Sequence, residues 1–103
     1  MIRFIRSFRF KTGGEVWLNL VRDMRTLLEK YTGVKWVVYF SRFGEIAKIF
    51  WTADYESLTA YAEIIDKFNK NDQAVKEYNE ISDKMQEFTV HGTTYDQILT
   101  VFD

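Results

Sequence analysis

The sequence predicts an α+β domain of ferredoxin-like βαββαβ order, in which a four-stranded antiparallel sheet carries its helices on one face. Three observations support this prediction. The opening stretch alternates apolar and polar side chains, as a half-buried strand does. Two longer stretches, 15–31 and 58–85, repeat apolar residues every three or four positions, as amphipathic helices do. Two β-branched and aromatic stretches flank SRFGE, as in a β-hairpin.

The first predicted strand is IRFIRSFRFK at 2–11. Its even positions are apolar except for Arg6, and its odd positions are mostly polar. Because successive side chains of a strand point to opposite faces, the even set is predicted to face the helices. Arg6 is then a lone cation on an apolar face, whereas Arg3 and Arg9 belong to the other face. Thr12-Gly13-Gly14 ends the strand.

The first helix is predicted over residues 15–31 and ends at Gly33. Its apolar positions form one stripe, and polar residues occupy the opposite side. The stripe consists of Trp17, Leu20, Val21, Met24, Leu27, Leu28 and Tyr31.

The second and third strands are predicted at 34–41 and 46–53, and Gly44 of the intervening turn is expected at a positive φ. Two pairings are possible. A four-residue loop pairs Ser41 with Ile46, sets the two tryptophans of these strands opposite each other and leaves one face without charge. A three-residue loop places a lysine on that face. A one-residue slip moves every side chain to the other face, so the four-residue loop is predicted.

The second helical segment is predicted to begin after Asp54, which is a suitable N-cap, and to be interrupted by NKND at 69–72. Its inward positions include Tyr61 before the interruption and Tyr78 after it. His91-Gly92-Thr93 closes the segment, and the last strand is predicted over 94–102.

The sheet face away from the helices is predicted to be mixed, with Ile5, Val37, Tyr39 and Phe50 among lysines and arginines. Such a face is a liability if exposed. Two sheets packed face to face would cover it, and the cations would then lie at the rim or pair with Asp96. The sequence therefore predicts a homodimer.

Composition excludes several classes of function. The chain of 103 residues is expected to form one domain, 1–103. A net charge of −1 gives no general attraction to nucleic acid or to anionic membranes. Cysteine is absent and His91 is the single histidine, so no cysteine-ligated or multi-histidine metal site is expected. No apolar run is long enough to span a bilayer, and the N-terminus does not have the pattern of a signal peptide. A cytoplasmic location is therefore expected.

By element order, size and aromatic content, the chain resembles the dimeric α/β-barrel superfamily, in which two ferredoxin-like subunits pack their sheets into one barrel. Its members include small monooxygenases that act on aromatic polyketides, haem-degrading enzymes and muconolactone isomerases. The resemblance implies a ligand site between helices and sheet, and cofactor-free oxygenation or isomerisation as possible activities. The haem-degrading set of asparagine, tryptophan and histidine does not carry over: Trp51 matches the tryptophan, but Arg6 replaces the asparagine and His91 follows the helices. No cofactor is expected, and no catalytic residue is assigned.

Arg6 is the most informative candidate. A buried arginine requires a partner. That partner is either an acid from a helix or the carboxylate or enolate of an apolar ligand. Alternatively, the long side chain of Arg6 reaches the end of the sheet. Trp36 and Trp51 are either a cross-strand core pair or the walls of a ligand pocket.

The remaining candidates are one histidine and several tyrosines. His91 is either a loop histidine or a general acid or base near pH 7. The tyrosines are core or interface residues, or donors to a ligand oxygen. The predicted ligand-binding set is Arg6, Trp36, Trp51, Tyr61, Tyr78, His91 and Tyr95.

Three functions follow from these observations. The preferred one is a homodimer that binds a mostly apolar, carboxylate-bearing small molecule between helices and sheet; the sequence does not decide whether it is an enzyme. The second is RNA binding through the sheet, because RFGEIAKIF loosely echoes an RNA-recognition signature. The acidic composition argues against nucleic acid as a partner. The third is a structural or regulatory interaction protein without a small ligand.

Overall fold

A computed structural model describes residues 1–11, 14–41 and 47–102. The elements follow the predicted order, and the second helical segment is divided into two helices. The strands are β1 (Ile2–Arg9), β2 (Trp36–Phe40), β3 (Lys48–Tyr55) and β4 (Tyr95–Thr100), and the helices are α1 (Glu15–Thr32), α2 (Leu58–Asn69) and α3 (Asp72–Gln86).

The four strands form one sheet in the order β2-β3-β1-β4, and each neighbouring pair is antiparallel. This is the predicted ferredoxin-like arrangement, in which crossovers through helices place β1 and β3 at the centre. The even residues of β1 are opposite the odd residues of β3: Phe4 faces Ala53 and Phe8 faces Ile49. These four side chains are buried, so the predicted inward face is confirmed.

The predicted register of the hairpin is wrong by two residues. Trp36 lies opposite Ala53, and Trp51 lies opposite Val38. The Ser41 N–H donates to the Lys48 carbonyl at 2.9 Å, which fixes this offset. A shift of two residues keeps every side chain on its predicted face, because the side-chain period is two. The predicted turn at Gly44 lies outside the described residues.

The helices begin and end at identifiable caps. Gly33 takes the left-handed conformation, with φ 69°, at the end of α1, and its N–H donates to the Glu29 carbonyl. Ser57 caps α2 by accepting from the Ala60 N–H at 3.1 Å. The predicted cap, Asp54, is wrong because this residue belongs to β3 and pairs with β1. Asn71 caps α3 by accepting from the Ala74 N–H, which explains the break at NKND.

Helix α3 packs on α1 and α2, and the chain that follows it is fixed to the end of β1. The Lys11 N–H donates to the Phe88 carbonyl, and the Val90 N–H donates to the Arg9 carbonyl. Trp17 of α1 is fully buried at this junction. Along its remaining length α3 stands off the sheet, and the space beneath it is the site described next.

Candidate functional site

A cavity of about 420 Å³ lies between the three helices and the helix-facing side of the sheet. Residues of β1, β2 and β3 line it on one side, and residues of α1, α2 and α3 line it on the other. Its volume falls in the ordinary range for small-molecule sites. The cavity occupies the place at which the resemblance implied a ligand site.

The cavity wall is mainly apolar and aromatic. Phe4 of β1 contacts Trp36 edge-on, with ring centroids 5.9 Å apart, and stacks on Tyr61 of α2 at 5.8 Å. Phe68 of α2 meets Tyr78 of α3 edge-on at 5.9 Å. These contacts fix the orientations of rings from both layers, because aromatic pairs prefer offset or edge-to-face geometry. The rings that line the cavity are therefore held in defined orientations.

Arg6, in the middle of β1, is part of this wall and forms two hydrogen bonds with Asp96 of β4. Arg6 Nε donates to Asp96 Oδ1 and Arg6 Nη2 donates to Asp96 Oδ2, each at 2.8 Å. The two residues are directly opposite in the β1–β4 pairing, on the helix-facing side. Arg6 Nη1 points to the Tyr78 hydroxyl at 3.4 Å. Of the partners considered for Arg6, an acid from a helix is not the one observed, because the acid comes from the neighbouring strand.

The ion pair shifts the titration of both groups. The hydrogen bond from Arg6 holds the pKa of Asp96 below its ordinary value, and the hydrogen bond to Asp96 raises the pKa of Arg6. At neutral pH both groups are therefore charged, and each compensates the other. Since both side chains are about two-fifths exposed, at 39% and 43%, the pair contributes little to stability.

Asp96→Asn is expected to lower the free energy of unfolding by about 0.5–1 kcal/mol at pH 7. Because the pKa of Asp96 is lowered in the folded state, this contribution is present above the ordinary value of 3.8 and is lost as pH falls through the folded-state value. Urea unfolding at pH 7 and at successive pH values down to the acid limit of the native state measures it. The difference from wild type should shrink toward acid, and Asp83→Asn, at an exposed position on α3, is the matched control for removing one carboxylate. A difference that grows toward acid contradicts the assignment.

Trp36 and Trp51 line the cavity, as the pocket interpretation predicted, but they are not a directly opposed cross-strand pair. Both are buried among the core residues. Four buried side-chain atoms in the described ranges have no hydrogen-bond partner: Nε1 of Trp17, Trp36 and Trp51, and the Tyr55 hydroxyl. Trp36 and Trp51 are the two of these residues that line the cavity.

His91 and Tyr95 lie away from the cavity. His91 is exposed in a turn beside Gly92, which has φ 79°. Tyr95 is opposite Ser7 and therefore lies on the sheet face away from the helices, with 60% of its surface exposed. The structure thus brings together Arg6, Trp36, Trp51, Tyr61 and Tyr78, and it separates the other two from them.

Sequence reasoning missed the polar side chains that α3 presents to the cavity. Asn79, Ser82 and Gln86 line it beside the apolar positions of the same helix. Their spacing of three and four residues places them on one side of α3 and was the available signal. Among the described residues, no group of three or more histidine, aspartate or glutamate side chains is placed to hold a metal ion. None of the described helices is long and apolar enough to cross a membrane.

The sheet face away from the helices has an uncharged centre between charged ends. Ile5 is opposite Thr52 and Gln97, and Ser7 is opposite Phe50 and Tyr95. The next positions along β1 in either direction are charged. Arg3 pairs with Asp54 at 2.7 Å at one end, and Arg9 lies opposite Lys48 at the other. Asp96, which was considered as a partner for these cations, is bound to Arg6 on the other side of the sheet.

Solved structures of NIPSNAP and monooxygenase proteins confirm the predicted fold. A NIPSNAP family protein of unknown function from Agrobacterium tumefaciens matches with a TM-score of 0.73 and 21% identity, over 96% of this chain and 86% of that one. The oxygenase SnoaB from Streptomyces nogalater, a cofactor-independent enzyme solved as a mutant, matches with a TM-score of 0.68 and 8% identity, over 99% of this chain and 93% of that one.

An antibiotic biosynthesis monooxygenase matches over 100% of both chains, with a TM-score of 0.70 and 7% identity. Because these sequences are only 7–21% identical to this chain, the similarity shows a shared fold and not a shared activity. No protein-family model and no curated protein matches the sequence. None of the similar structures named here supports the RNA-binding alternative.

Proposed function

We propose that this protein binds a mostly apolar small molecule in the cavity between its helices and its sheet. The observation that carries the proposal is a space of about 420 Å³ with aromatic walls and a few polar groups. Ligand sites have this composition, because apolar walls supply affinity and a few polar groups fix orientation. Arg6 lines the cavity and is paired with Asp96. It therefore adds a polar group to the wall, and its charge is neutralised by the carboxylate.

A homodimer formed through the other sheet face is part of this proposal. That face has an uncharged centre, which includes Ile5, Phe50 and Tyr95, and charged residues at its ends, an arrangement compatible with an interface. A two-fold axis requires only one self-complementary patch. Pairing of two such faces would leave the cavity of each subunit on the outside of the sheet pair, below its own helices.

The proposal is tested with N-phenyl-1-naphthylamine, an uncharged probe that fluoresces in apolar surroundings. We expect saturable binding by the wild-type protein. Ser82→Trp places a large side chain at the cavity wall and should weaken binding by about tenfold or more, because it removes volume that the probe occupies. Asp83→Trp, at the next position on α3, is exposed and outside the cavity lining, so it should leave binding unchanged.

Two results would contradict the proposal. One is the absence of saturable probe binding by the folded wild-type protein. The other is equal binding by both tryptophan variants, which would place the probe elsewhere on the surface. Circular dichroism of each variant confirms that it is folded.

A second candidate function, cofactor-free oxygenation, is favoured by one comparison, since SnoaB is a cofactor-independent oxygenase of this fold. It predicts oxygen uptake that requires both the protein and an added phenol such as 1-naphthol, and that Ser82→Trp abolishes. Uptake no faster than that of the phenol alone contradicts it and leaves the binding function unaffected.

A further inference from the structure

The cavity opens to solvent beside β4, the edge strand of the sheet. All six residues of β4 are exposed, on both faces of the strand. Thr94, which directly precedes β4, lines the cavity and is exposed. Arg6 lines the cavity next to Asp96 of β4, and its Nη1 lies 3.4 Å from the Tyr78 hydroxyl of α3. A molecule that enters on this side therefore passes between α3 and the edge of the sheet.

The side of α3 that lines the cavity is polar but uncharged. Six of the fifteen residues of α3 are aspartate, glutamate or lysine, and none of the six lines the cavity. Four others are asparagine, glutamine or serine, and three of these line it: Asn79, Ser82 and Gln86. Asn79 and Gln86 are exposed and Ser82 is half-buried, so a molecule in the cavity can reach all three.

Solvent exposure would not by itself exclude charge from these positions. Charged side chains are common at exposed positions, and they occupy most of the other exposed positions of α3. Amide and hydroxyl side chains differ from charged ones because each can both donate and accept hydrogen bonds. Their presence at the cavity indicates a partner that also does both, as a hydroxyl group does.

The charge at the opening supports the same conclusion. Arg6 is the one charged residue among the described cavity-lining residues, and Asp96 occupies its Nε and Nη2. An anionic ligand would compete with Asp96 for Arg6, and a cationic ligand would meet Arg6 without a carboxylate in the lining. A ligand with an uncharged polar end meets neither obstacle.

Away from β4, the cavity is apolar. Trp36 and Trp51 line it from β2 and β3, which lie on the far side of β1 from β4. Met24 and Leu28 of α1 line it from the helix layer. A ligand therefore meets apolar groups inside and hydrogen-bonding groups at the opening. This division suits a molecule that has one apolar and one polar end.

We propose that the cavity binds an amphiphile whose polar end is uncharged and bears hydroxyl groups, and that Asn79, Ser82 and Gln86 determine the specificity for this end. The apolar part of the ligand lies among the inner aromatic rings, and the polar end lies at the opening beside β4. This inference rests on the proposed function and names the class of ligand.

The test uses decanoyl compounds that share one chain and differ in the polar end, each below its critical micelle concentration. 1-Decanoylglycerol carries hydroxyl groups, methyl decanoate carries none, and decanoate is an anion. We expect 1-decanoylglycerol to displace N-phenyl-1-naphthylamine from the wild-type protein at a concentration about threefold or more below that of the other two. Transfer from water favours the more apolar methyl ester, so the expected order requires contacts with the hydroxyl groups.

A matched pair of substitutions locates these contacts. Gln86→Met removes an amide at the cavity opening, whereas Gln73→Met removes one from an exposed position of the same helix outside the cavity lining. Gln86→Met should lower the affinity for 1-decanoylglycerol relative to methyl decanoate by about three- to tenfold, the equivalent of one lost hydrogen bond. Asn79→Leu should act in the same direction, and Gln73→Met should leave the ratio unchanged.

The outcomes separate this inference from the proposed function. If the probe binds but methyl decanoate or decanoate competes as well as 1-decanoylglycerol, or no compound displaces the probe, the inference is wrong and the binding function stands. The same holds if folded Gln86→Met and Asn79→Leu both keep the wild-type ratio. If N-phenyl-1-naphthylamine does not bind the folded wild-type protein, both are wrong. If a variant does not fold, the order of the three compounds with the wild-type protein still decides.

Discussion

Trp17→Ala is expected to lower the free energy of unfolding by about 3–5 kcal/mol, the usual range for deleting a large aromatic side chain from a core. Trp17 is fully buried. Its ring stacks on Phe10 at 5.3 Å, meets Phe8 edge-on at 6.2 Å and contacts Phe88 at 5.7 Å. It therefore joins α1 to the end of β1 and to the chain after α3.

The size of this effect reflects packing alone. Trp17 Nε1 has no hydrogen-bond partner in the described part of the chain, so the substitution removes no hydrogen bond. Domains of this size are stable by about 5–15 kcal/mol, so the variant should be close to unfolding at 25 °C. Urea unfolding followed by circular dichroism measures the change.

Val16→Ala, at an adjacent position that is 66% exposed, should change stability by less than about 0.5 kcal/mol. A loss below about 1.5 kcal/mol for Trp17→Ala would show that this junction is not a centre of the core.

Ile5→Asp is expected to convert the proposed homodimer into a monomer. Ile5 lies at the centre of the sheet face that the helices leave uncovered, between Thr52 and Gln97. A carboxylate there would be buried twice in a two-fold interface, beside its own symmetry mate and without a partner. Size-exclusion chromatography with light scattering should give twice the chain mass of 12.3 kDa for wild type and a single chain mass for the variant.

A matched control is available on the other side of the molecule. Leu58→Asp introduces the same charge at a position on α2 that is 58% exposed, and it should leave the dimer intact. A wild-type protein that is monomeric at micromolar concentration would overturn the proposed dimer. An Ile5→Asp variant that remains dimeric would place the interface elsewhere.

The element order, the helix break and the inward faces of β1, β2 and β3 could be predicted because they depend on local periodicity and capping. The alternation in IRFIRSFRFK identified β1 and both of its faces, and NKND identified the break between α2 and α3. The offset of the β2–β3 hairpin could not be predicted in the same way. Registers two residues apart give identical faces, so the apolar pattern cannot distinguish Trp36 opposite Trp51 from Trp36 opposite Ala53.

The candidate site was predictable in part. Arg6, Trp36, Trp51, Tyr61 and Tyr78 were selected from their positions on inward faces, and all five line the cavity. His91 and Tyr95 were selected for their chemistry alone. Their distance from the cavity depends on the turn after α3 and on the face that β4 presents, which no local pattern encodes.

For β1, β2, β3 and the helices, the sequence by itself determined which side chains face inward, because period two in strands and period three to four in helices relate each residue to a face. The tertiary structure alone decided which of those faces meet, and at what offset. It paired β1 with β4 so that Arg6 meets Asp96 and has its charge compensated. It also held α3 off the sheet, so that a cavity lined by Trp36 and Trp51 lies between them. Both outcomes depend on contacts between residues distant in the chain, and such contacts are set by the packing of whole elements rather than by the residues around each position.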